Sequence, residues 1–308
     1  MITEIPTAKE FHDAGVNLLY LAWDIAMDLL RGSDGKYTGA ELDEAMLEEY
    51  WQKSQIALGN ALSLIQQSME LGIKGRITAI SPFILISTEH SKWPTIDASF
   101  SDFRTIDAVD LTKVHNAVST APLDDTFRAF FDDIRRQRNK LMHSVPKDTF
   151  EPGTLIISVL TAAETLYNEM PWPERCIQQE SQSRVSIIDG GETERNRVMN
   201  DIELALKYLK PAQAKRFLGF DKRRRAYLCP NCYATANRDY ADDFPLLAQL
   251  RTKERSETTL DCKVCGISSV VERRDCKADE CKANVLDDEG MCLFCQHDNF
   301  IRPATPTV

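Results

Sequence analysis

Cysteines are concentrated near the C-terminal end of the chain, where eight of the nine fall into short pairs. The four pairs are Cys229/Cys232, Cys262/Cys265, Cys276/Cys281 and Cys292/Cys295. Two cysteines so close in sequence place both thiolates on one tight turn, which is the ligand spacing of structural zinc sites. Two sets of four sulfur ligands therefore predict two structural Zn²⁺ ions per chain. Because four cysteines leave no coordination position open, we expect these sites to build a binding module rather than to catalyse a reaction.

The lengths of chain between the pairs favour a sequential grouping into two zinc ribbons. The 29 residues between the first two pairs and the ten residues between the last two suit the hairpins of such a fold. A nested grouping, with the outer two pairs around one ion and the inner two around the other, is the alternative. His297 lies beside the last pair and is a weaker alternative ligand. Four thiolates also suit an iron–sulfur site, which we rank below zinc.

A second set of residues able to do chemistry interrupts an apolar stripe in residues 127–146. Apolar side chains recur there at every third or fourth position, but the same rhythm puts Arg138 where a leucine would fit. A guanidinium on the buried side of a helix is costly unless an anion or a strong hydrogen-bond acceptor meets it. Asn139 and His143 are four residues apart and share one face of the helix. The three side chains can therefore border one groove.

The six residues from Arg138 to His143, Arg-Asn-Lys-Leu-Met-His, resemble the R-x4-H motif of HEPN domains, whose active ribonucleases also carry a polar residue after the arginine. The position, late in one helix, after a long helical hairpin and before a final apolar helix, is also similar to theirs. The resemblance covers about residues 8–170 and implies a metal-independent endoribonuclease with RNA as its substrate. It implies His143 as the group that moves protons, Arg138 as the cation that binds phosphate, and Asn139 as an orienting residue.

One straight helix does not bring Arg138 and His143 together, because at about 100° per residue they lie about 140° apart around its axis. The resemblance implies a homodimer in which two copies of the motif share one cleft. HEPN domains are common in toxin–antitoxin and antiviral systems, so it also implies an antitoxin or defence-system protein as a partner. The alternative is that Arg138 extends to solvent and His143 ends a helix. The chain is then a non-catalytic HEPN dimer, a scaffold or regulator whose zinc ribbons bind nucleic acid or protein.

Basic residues beside both sets are candidate contacts to nucleic acid. Arg135 and Lys140 lie next to the helical motif, and a run of four precedes the first cysteine pair: Lys222, Arg223, Arg224 and Arg225. Three aromatic residues near the cysteines are candidates for stacking on bases: Tyr227, Tyr233 and Phe294. The alternative is that the charges are solvated and the ribbons bind protein. Residues 222–308 carry 14 Lys+Arg and 14 Asp+Glu, so this region as a whole is not basic.

The periodicity of apolar residues predicts a mainly α-helical domain over residues 1–173. Capping-box patterns that begin at Thr7 and Thr38 open two long helices, which form an antiparallel hairpin. Residues 73–122 are less regular and predict an insertion with one short helix near 110–118. The hairpin and the later helices are the elements that must position the arginine and the histidine.

The remaining segments complete the expected architecture. A helix over 123–142 carries the motif, and residues 154–170, apolar on nearly all sides, predict a helix buried in the domain or against another subunit. Residues 174–221 predict a linker followed by an exposed helix near 192–210, and 222–308 a double zinc-ribbon module. The expected fold class is mainly α, a HEPN-like bundle followed by a small zinc-stabilised β module.

Composition sets limits on partners and location. The 308 residues carry 37 Lys+Arg and 47 Asp+Glu, a formal net charge of −10, which argues against a generally basic coat for nucleic acid and against adsorption to anionic membranes. No segment is long and apolar enough for a spanning helix. The first residues lack the basic region and apolar run of a secretory signal. We therefore expect a cytoplasmic protein with reduced thiols and no membrane partner.

Overall fold

The structure is a computed structural model that describes residues 1–39, 42–94, 96–143, 150–183, 187, 193–236 and 244–299. For five residues it describes the backbone alone: Tyr37, Thr38, His90, Met142 and His143. The chain divides into two compact units, Met1–Glu169 and Met170–Val308. The sequence placed the end of the first domain four residues later, at 173. Each unit is described by itself below.

The helices of the first unit are α1 (Ala8–Ser33), α2 (Gly35–Thr38), α3 (Glu44–Thr78), α4 (Ala108–Val118), α5 (Asp125–His143) and α6 (Pro152–Leu166). The capping box predicted for α1 is present, because Thr7 Oγ1 accepts a hydrogen bond from the Glu10 N–H at 3.2 Å and Glu10 Oε2 accepts one from the Thr7 N–H at 2.7 Å. The face that α1 turns to the core carries Leu19, Ala22, Trp23, Ala26, Met27 and Leu30. The cap and the apolar face together fix where this helix starts and how it is rotated.

The prediction that Thr38 opens the second long helix is wrong, and Glu41, the other half of the predicted capping box, lies outside the described residues. Gly39 adopts a left-handed conformation with φ of 69°, so Thr38 ends the short helix α2 rather than opening the long one. The helix α3 begins at Glu44, where Asp43 Oδ1 accepts a hydrogen bond from the Met46 N–H at 2.8 Å. An aspartate supplies the same kind of acceptor as a threonine at this position, so Asp43 caps the long helix.

The long helices α1 and α3 form the predicted hairpin and approach closely around one buried tyrosine. The Tyr167 hydroxyl donates to the Ser68 carbonyl at 2.6 Å and accepts from Ser68 Oγ at 3.1 Å. A Cβ atom on Gly15 or on Gly72 would collide with this hydroxyl group. Burial raises the pKa of Tyr167, so the phenol stays neutral and keeps its donor. Two glycines therefore make the space that a polar contact in the core requires.

The helix α3 continues to Thr78, several residues into the predicted insertion, because Ile73 and Ile77 extend its buried stripe. Two short strands, β1 (Ile2–Thr3) and β2 (Ala98–Ser99), pair in parallel. The expected short helix is α4, and the described remainder of the insertion also contains 3₁₀ turns at Pro82–Leu85, His90–Lys92 and Phe100–Asp102. Most of the predicted insertion is therefore built from short elements that pack beside α3.

The helices α5 and α6 complete the first unit. The stripe of α5 buries Phe127, Phe131 and Ile134, as its spacing predicts. The helix α6 is apolar on nearly all sides and packs on both α1 and α3, with Ile156 and Val159 fully buried. Its own unit thus covers it, so its apolar character does not require a partner subunit.

The second unit begins with helices and ends with the cysteine pairs. Its helices are α7 (Trp172–Glu180), α8 (Glu194–Tyr208), α9 (Pro211–Leu218) and α10 (Pro230–Thr235). Three strands form one antiparallel sheet in the order β3 (Ala248–Leu250), β4 (Thr259–Cys262) and β5 (Ser268–Val270). Leu250 pairs with Leu260, and Asp261 pairs with Ser268. The register places Leu260 and Cys262 on the buried face of β4.

The interval 174–221, which the sequence assigned to a linker and one helix, contains most of α7 and all of α8 and α9. These helices are part of the second unit and bury Cys176, Val198 and Ile202. The Gln/Ser-rich composition hid α7 because only one side of a short helix needs to be apolar. The structure confirms the coarse prediction of a mainly helical chain with a small antiparallel, cysteine-bearing sheet near its C-terminal end.

Candidate functional site

The first two cysteine pairs come together in the second unit. The Sγ atoms of Cys229, Cys232, Cys262 and Cys265 all lie within 4.8 Å of one another. Cys229 and Cys232 lie at the start of α10, and Cys262 ends β4, so a helix and a hairpin bring the two pairs together. The Sγ–Sγ distances are 3.8 Å for Cys229–Cys265 and 3.7 Å for Cys232–Cys262. The first three of these cysteines are buried.

The last two pairs form a second group with the same geometry. The Sγ atoms of Cys276, Cys281, Cys292 and Cys295 also lie within 4.8 Å of one another. Cys276–Cys295 measures 3.6 Å and Cys281–Cys292 measures 3.9 Å between sulfur atoms. The grouping is therefore sequential, which settles the alternative that the spacing left open. His297 contributes its carbonyl oxygen to the Cys292 N–H, and its ring is not among the gathered donor atoms.

The sulfur positions fit a tetrahedral metal ion. Four sulfurs about 2.3 Å from one centre form a tetrahedron with edges of about 3.8 Å. The Sγ–Sγ distances of 3.6, 3.7, 3.8 and 3.9 Å match this edge. They are far longer than the bond of about 2.05 Å in a disulfide, and all eight cysteines are free. Each group can thus hold one metal ion, with no space between its sulfurs for a cluster of several metal atoms.

Protons are distributed unequally over the crowded thiols. Hydrogen bonding to Cys229 raises the pKa of Cys232, whereas hydrogen bonding to the same residue lowers the pKa of Cys265. In the second group, partial loss of solvent around an otherwise exposed sulfur, together with hydrogen bonds to the three neighbouring sulfurs, raises the pKa of Cys295 to about 12. Four adjacent sulfurs cannot all become thiolates without a cation to offset their repulsion. A bound dication supplies that charge and displaces the remaining protons.

Neighbouring side chains support the sulfurs of the first group. Arg195 Nη1, on α8, donates to Cys232 Sγ at 3.8 Å, and Asn231 Nδ2 donates to Cys265 Sγ at 3.7 Å. The carboxylate of Glu174, on α7, occupies the space where a side chain on Gly266 would lie. Burial, and then the charge of Cys265, raise the pKa of Glu174. The helices before the ribbons therefore take part in the first site, and no spacing in the sequence marks these contacts.

The second group is supported from within its own ribbon. Asn299 is buried, and its Nδ2 donates to Cys276 Sγ at 3.7 Å. The Asn299 Oδ1 atom accepts a hydrogen bond from the Lys277 N–H at 2.7 Å. One amide side chain thus holds both the sulfur of Cys276 and the backbone that follows it. This residue lies outside the cysteine pattern, and sequence reasoning did not single it out.

Hydrogen bonds fasten the two ribbons to each other. Arg273 Nη1 donates to the Glu257 carbonyl of the first ribbon at 2.8 Å, and Arg273 Nε donates to the Asn284 carbonyl of the second at 3.2 Å. The Glu272 and Leu286 backbones also pair in both directions. The two cysteine groups therefore belong to one continuous module.

The basic run before the first pair is largely used inside the protein. Lys222 Nζ donates to the carbonyls of Leu206 and Leu209, which end α8, the latter at 2.6 Å. Arg224 Nη2 donates to the carbonyls of Leu250 and Thr252. Lys222 thus caps carbonyl groups at the C-terminal end of α8, and Arg224 binds carbonyl groups at the end of β3.

The other two residues of the basic run, Arg225 and Arg223, make different contacts. Arg225 Nη1 donates to the Lys282 carbonyl at 2.8 Å, and its guanidinium lies 5.3 Å from the centre of the Phe294 ring. The side chain of Arg223 is 75% exposed and pairs with Asp221 at 3.3 Å. The Arg223 side chain thus pairs with a residue two positions away and stays largely open to solvent. A ligand would therefore contact the exposed side chain of Arg223 rather than the basic run as a whole.

Of the three aromatic candidates for stacking on bases, two pack inside the protein and one is exposed. Tyr227 is buried, and Tyr233 packs edge-on against Phe244 with ring centroids 5.1 Å apart. Phe294 is 40% exposed. Its partner Arg225 covers one side of the ring. Phe294 therefore has one face for contact with a ligand, and the two tyrosines serve the core of the first ribbon.

The helix α5 places Arg138 at the edge of the buried stripe. Arg138 is half-buried, and its Nη1 atom lies 3.4 Å from Asn139 Oδ1, a long and weak contact. Its Nε atom is buried and has no hydrogen-bond partner among the described residues. The structure thus bears out the unusual feature that the spacing indicated, a guanidinium that enters the stripe without a full set of acceptors.

The other residues of this motif are only partly described. His143 is the last residue of α5, and its side chain lies outside the described part of the chain. Arg135 pairs with Asp132 at 3.5 Å, and Lys140 is exposed. Leu141 packs near Gly59 of α3, and Phe150 is held to α3 by two hydrogen bonds with Gln55. The end of α5 therefore lies against the middle of α3.

An open cavity with a volume of about 520 Å³ also lies in the first unit, beside α4. Its charged lining residues form two exposed ion pairs, Arg104 with Asp107 at 2.6 Å and Lys113 with Asp110 at 3.1 Å. The charges are thus satisfied within the protein. This cavity includes no residue of the Arg138 motif.

Comparison of this chain with known protein families, with curated proteins and with solved structures found no match in any of the three. The similarity to HEPN domains therefore rests on the motif and on the order of helices. Among the described residues, no helix combines the length and the hydropathy needed to cross a bilayer.

Proposed function

We propose that the second unit binds two Zn²⁺ ions, each held by four cysteine thiolates, and that these ions stabilise the ribbons. The observation that carries this proposal is the gathering of four sulfurs within 4.8 Å of one another in each group, with two Sγ–Sγ distances of 3.6–3.9 Å in each. Soft thiolates in tetrahedral geometry favour zinc over harder divalent ions. Closed four-cysteine sites are structural, and the short strands around them have little apolar core of their own.

Elemental analysis of the purified chain tests this assignment. We expect two zinc atoms per chain, with one lost in Cys229→Ser and one in Cys295→Ser. The matched control is Cys176→Ser, because Cys176 is a buried cysteine outside both groups. Iron in place of zinc, which four thiolates also bind, gives strong visible absorption. A chain that contains fewer than one metal ion when prepared without chelators contradicts the proposal.

We propose further that the first unit is an endoribonuclease that acts without a divalent metal, through Arg138, Asn139 and His143 in a homodimer. The feature that supports this second function is Arg138, whose buried Nε atom lacks a partner among the described residues. A buried guanidinium Nε atom without an acceptor is unfavourable in the free protein, and a guanidinium suits an anion such as phosphate. The resemblance to the HEPN motif supplies the remaining roles.

The chemistry needs little from the protein because RNA carries its own nucleophile. The 2′-hydroxyl attacks the adjacent phosphate once a base accepts its proton, and the imidazole of His143 is the side chain suited to that proton transfer near neutral pH. Arg138 stabilises the charge that develops on the phosphate oxygens. Asn139 orients the phosphate or the imidazole. The products are a 2′,3′-cyclic phosphate and a 5′-hydroxyl end, and a toxin or defence role with a protein regulator follows from the family that the motif resembles.

Incubation of the full chain with total RNA, in buffer without added divalent metal, tests the nuclease. Arg138→Ala and His143→Ala are expected to abolish cleavage while the helical content stays unchanged. Arg136→Ala is the matched control, since Arg136 lies on the same helix, is exposed and pairs with Asp133. Light scattering is expected to show a dimer. RNA that is bound but not cleaved by the wild-type chain favours the scaffold alternative, and equal cleavage by all variants contradicts the assignment.

A further inference from the structure

The two cysteine groups differ in how far they are open to solvent. In the first group three cysteines are buried and Cys265 is intermediate. In the second group only Cys292 is buried, Cys276 and Cys281 are intermediate, and Cys295 is exposed. Oxidation of cysteine follows thiolate character and access of the oxidant. Both groups offer four cysteine ligands, but the first group is protected from solvent and the second is accessible.

The exposed cysteine also has a partner at short range. Cys295 Sγ and Cys276 Sγ are 3.6 Å apart. Asn299, buried beside them, holds Cys276 through its sulfur and through the following N–H. A sulfenic acid formed on Cys295 would thus meet a second sulfur that is already in place. The two sulfurs must approach to about 2.05 Å to form a disulfide.

Charge around the second group selects the kind of oxidant. Residues 272–299 carry 4 Lys+Arg and 8 Asp+Glu, whereas residues 222–271 carry 9 and 6. An acidic surface repels anions and does not affect a neutral molecule. Small neutral peroxides therefore reach Cys295 without an electrostatic barrier, and anionic disulfides such as oxidised glutathione do not.

We propose that the second cysteine group is a peroxide-reactive site, in which Cys295 and Cys276 form a disulfide and the metal ion is released. The proposal rests on the zinc-binding function above. The Cys295 thiolate attacks one peroxide oxygen, the O–O bond breaks, and hydroxide leaves with the electron pair. The Cys276 thiolate then attacks the sulfenic sulfur and expels a second hydroxide. Two thiolates lose two electrons, hydrogen peroxide is reduced to two hydroxides that become water on protonation, and Zn²⁺ retains only Cys281 and Cys292.

Release of the ion changes the second ribbon while the first group keeps its own ion. The first group is protected by burial of its sulfurs and by the donors Arg195 and Asn231. A thiol reductant together with Zn²⁺ restores the starting state, because a disulfide is reversible whereas the higher sulfur oxides are not. The chain is thus expected to lose one of its two ions in a reversible first step.

The test follows zinc release from the full zinc-loaded chain with a chromogenic chelator after addition of hydrogen peroxide. One equivalent is expected in the first phase, and mass spectrometry of the digested product is expected to show a Cys276–Cys295 disulfide. Oxidised glutathione at equal concentration is expected to release less zinc. Cys295→His keeps a tetrahedral ligand but cannot form the disulfide, so its second ion should be retained. Cys176→Ser, at a buried cysteine outside both groups, is the control and should release one equivalent as the wild type does.

The outcomes separate this inference from the zinc assignment. A chain that contains no zinc before oxidation overturns both. A chain that contains two zinc ions but loses them together, or loses the ion of the first group first, overturns the peroxide-reactive site alone. The same holds if the first disulfide joins other cysteines or if Cys295→His releases zinc as fast as the wild type.

Discussion

The Leu228 N–H donates a hydrogen bond of 2.6 Å to the Leu293 carbonyl, and both leucines are fully buried. Leu228 directly precedes Cys229 of the first group, and Leu293 directly follows Cys292 of the second. One backbone hydrogen bond therefore joins a ligand turn of one ribbon to a ligand turn of the other. Since metal binding orders these turns, the two sites are expected to influence each other.

This link predicts coupling between the two metal sites. Cys281→Ser is expected to lose the second ion and also to weaken zinc binding at the first group about fivefold, because one net hydrogen bond is worth about 1 kcal/mol. Competition with a chelator of known affinity measures the change. Cys176→Ser, which leaves both groups intact, should behave as the wild type. An unchanged affinity at the first group in Cys281→Ser would show that the ribbons bind metal independently.

Arg195 is expected to tune the first site through its contact with Cys232. Arg195→Ala removes a cationic donor from a ligand sulfur, and loss of such a contact lowers metal affinity about 10–100-fold. Arg223→Ala is the control, since that side chain is 75% exposed and contacts no cysteine sulfur in the described structure. Chelator competition again provides the readout. If both variants bind zinc equally well, the arginine does not stabilise the site.

Two glycines with the same backbone angle should respond differently to alanine. Gly266 and Gly39 both have φ of +69°, so a Cβ atom costs about 1–2 kcal/mol at either position. At Gly266 the new atom also meets the carboxylate of Glu174, whereas no atom lies within 4 Å of it at Gly39. Thermal unfolding of the zinc-loaded chain is expected to show a larger loss in Gly266→Ala. Equal losses of thermal stability in the two variants would show that the backbone conformation alone, and not the contact with Glu174, causes the effect.

Arg138 should cost stability in the free protein. Arg138→Leu continues the apolar stripe of α5 and removes a buried Nε atom without a partner among the described residues, so we expect a gain of about 1 kcal/mol in the free energy of unfolding of the first unit. The same variant should not cleave RNA. Ile134→Leu, a volume-conserving change at a buried stripe position, is the control and should keep activity. A clear loss of stability in Arg138→Leu would show that the guanidinium serves the fold.

The cysteine pattern and the apolar periodicity determined much of this protein in advance. The spacing of the pairs predicts two sets of ligand turns, because two cysteines so close together place both thiolates on one turn. The stripe of α5 predicts both its buried face and the exception at Arg138. These properties are local, and a residue pattern reports local geometry directly.

Only the tertiary structure decided how these local elements combine. It chose the sequential grouping of cysteine pairs, assigned Lys222 and Arg224 to backbone carbonyls, and placed Arg195 and Glu174 beside the first group. These contacts join residues from 13 positions apart, for Lys222 and Leu209, to 92 positions apart, for Glu174 and Gly266, and each depends on the packing of whole helices and hairpins. A single sequence carries no signal for them, because burial and hydrogen-bond partners arise only once distant segments meet.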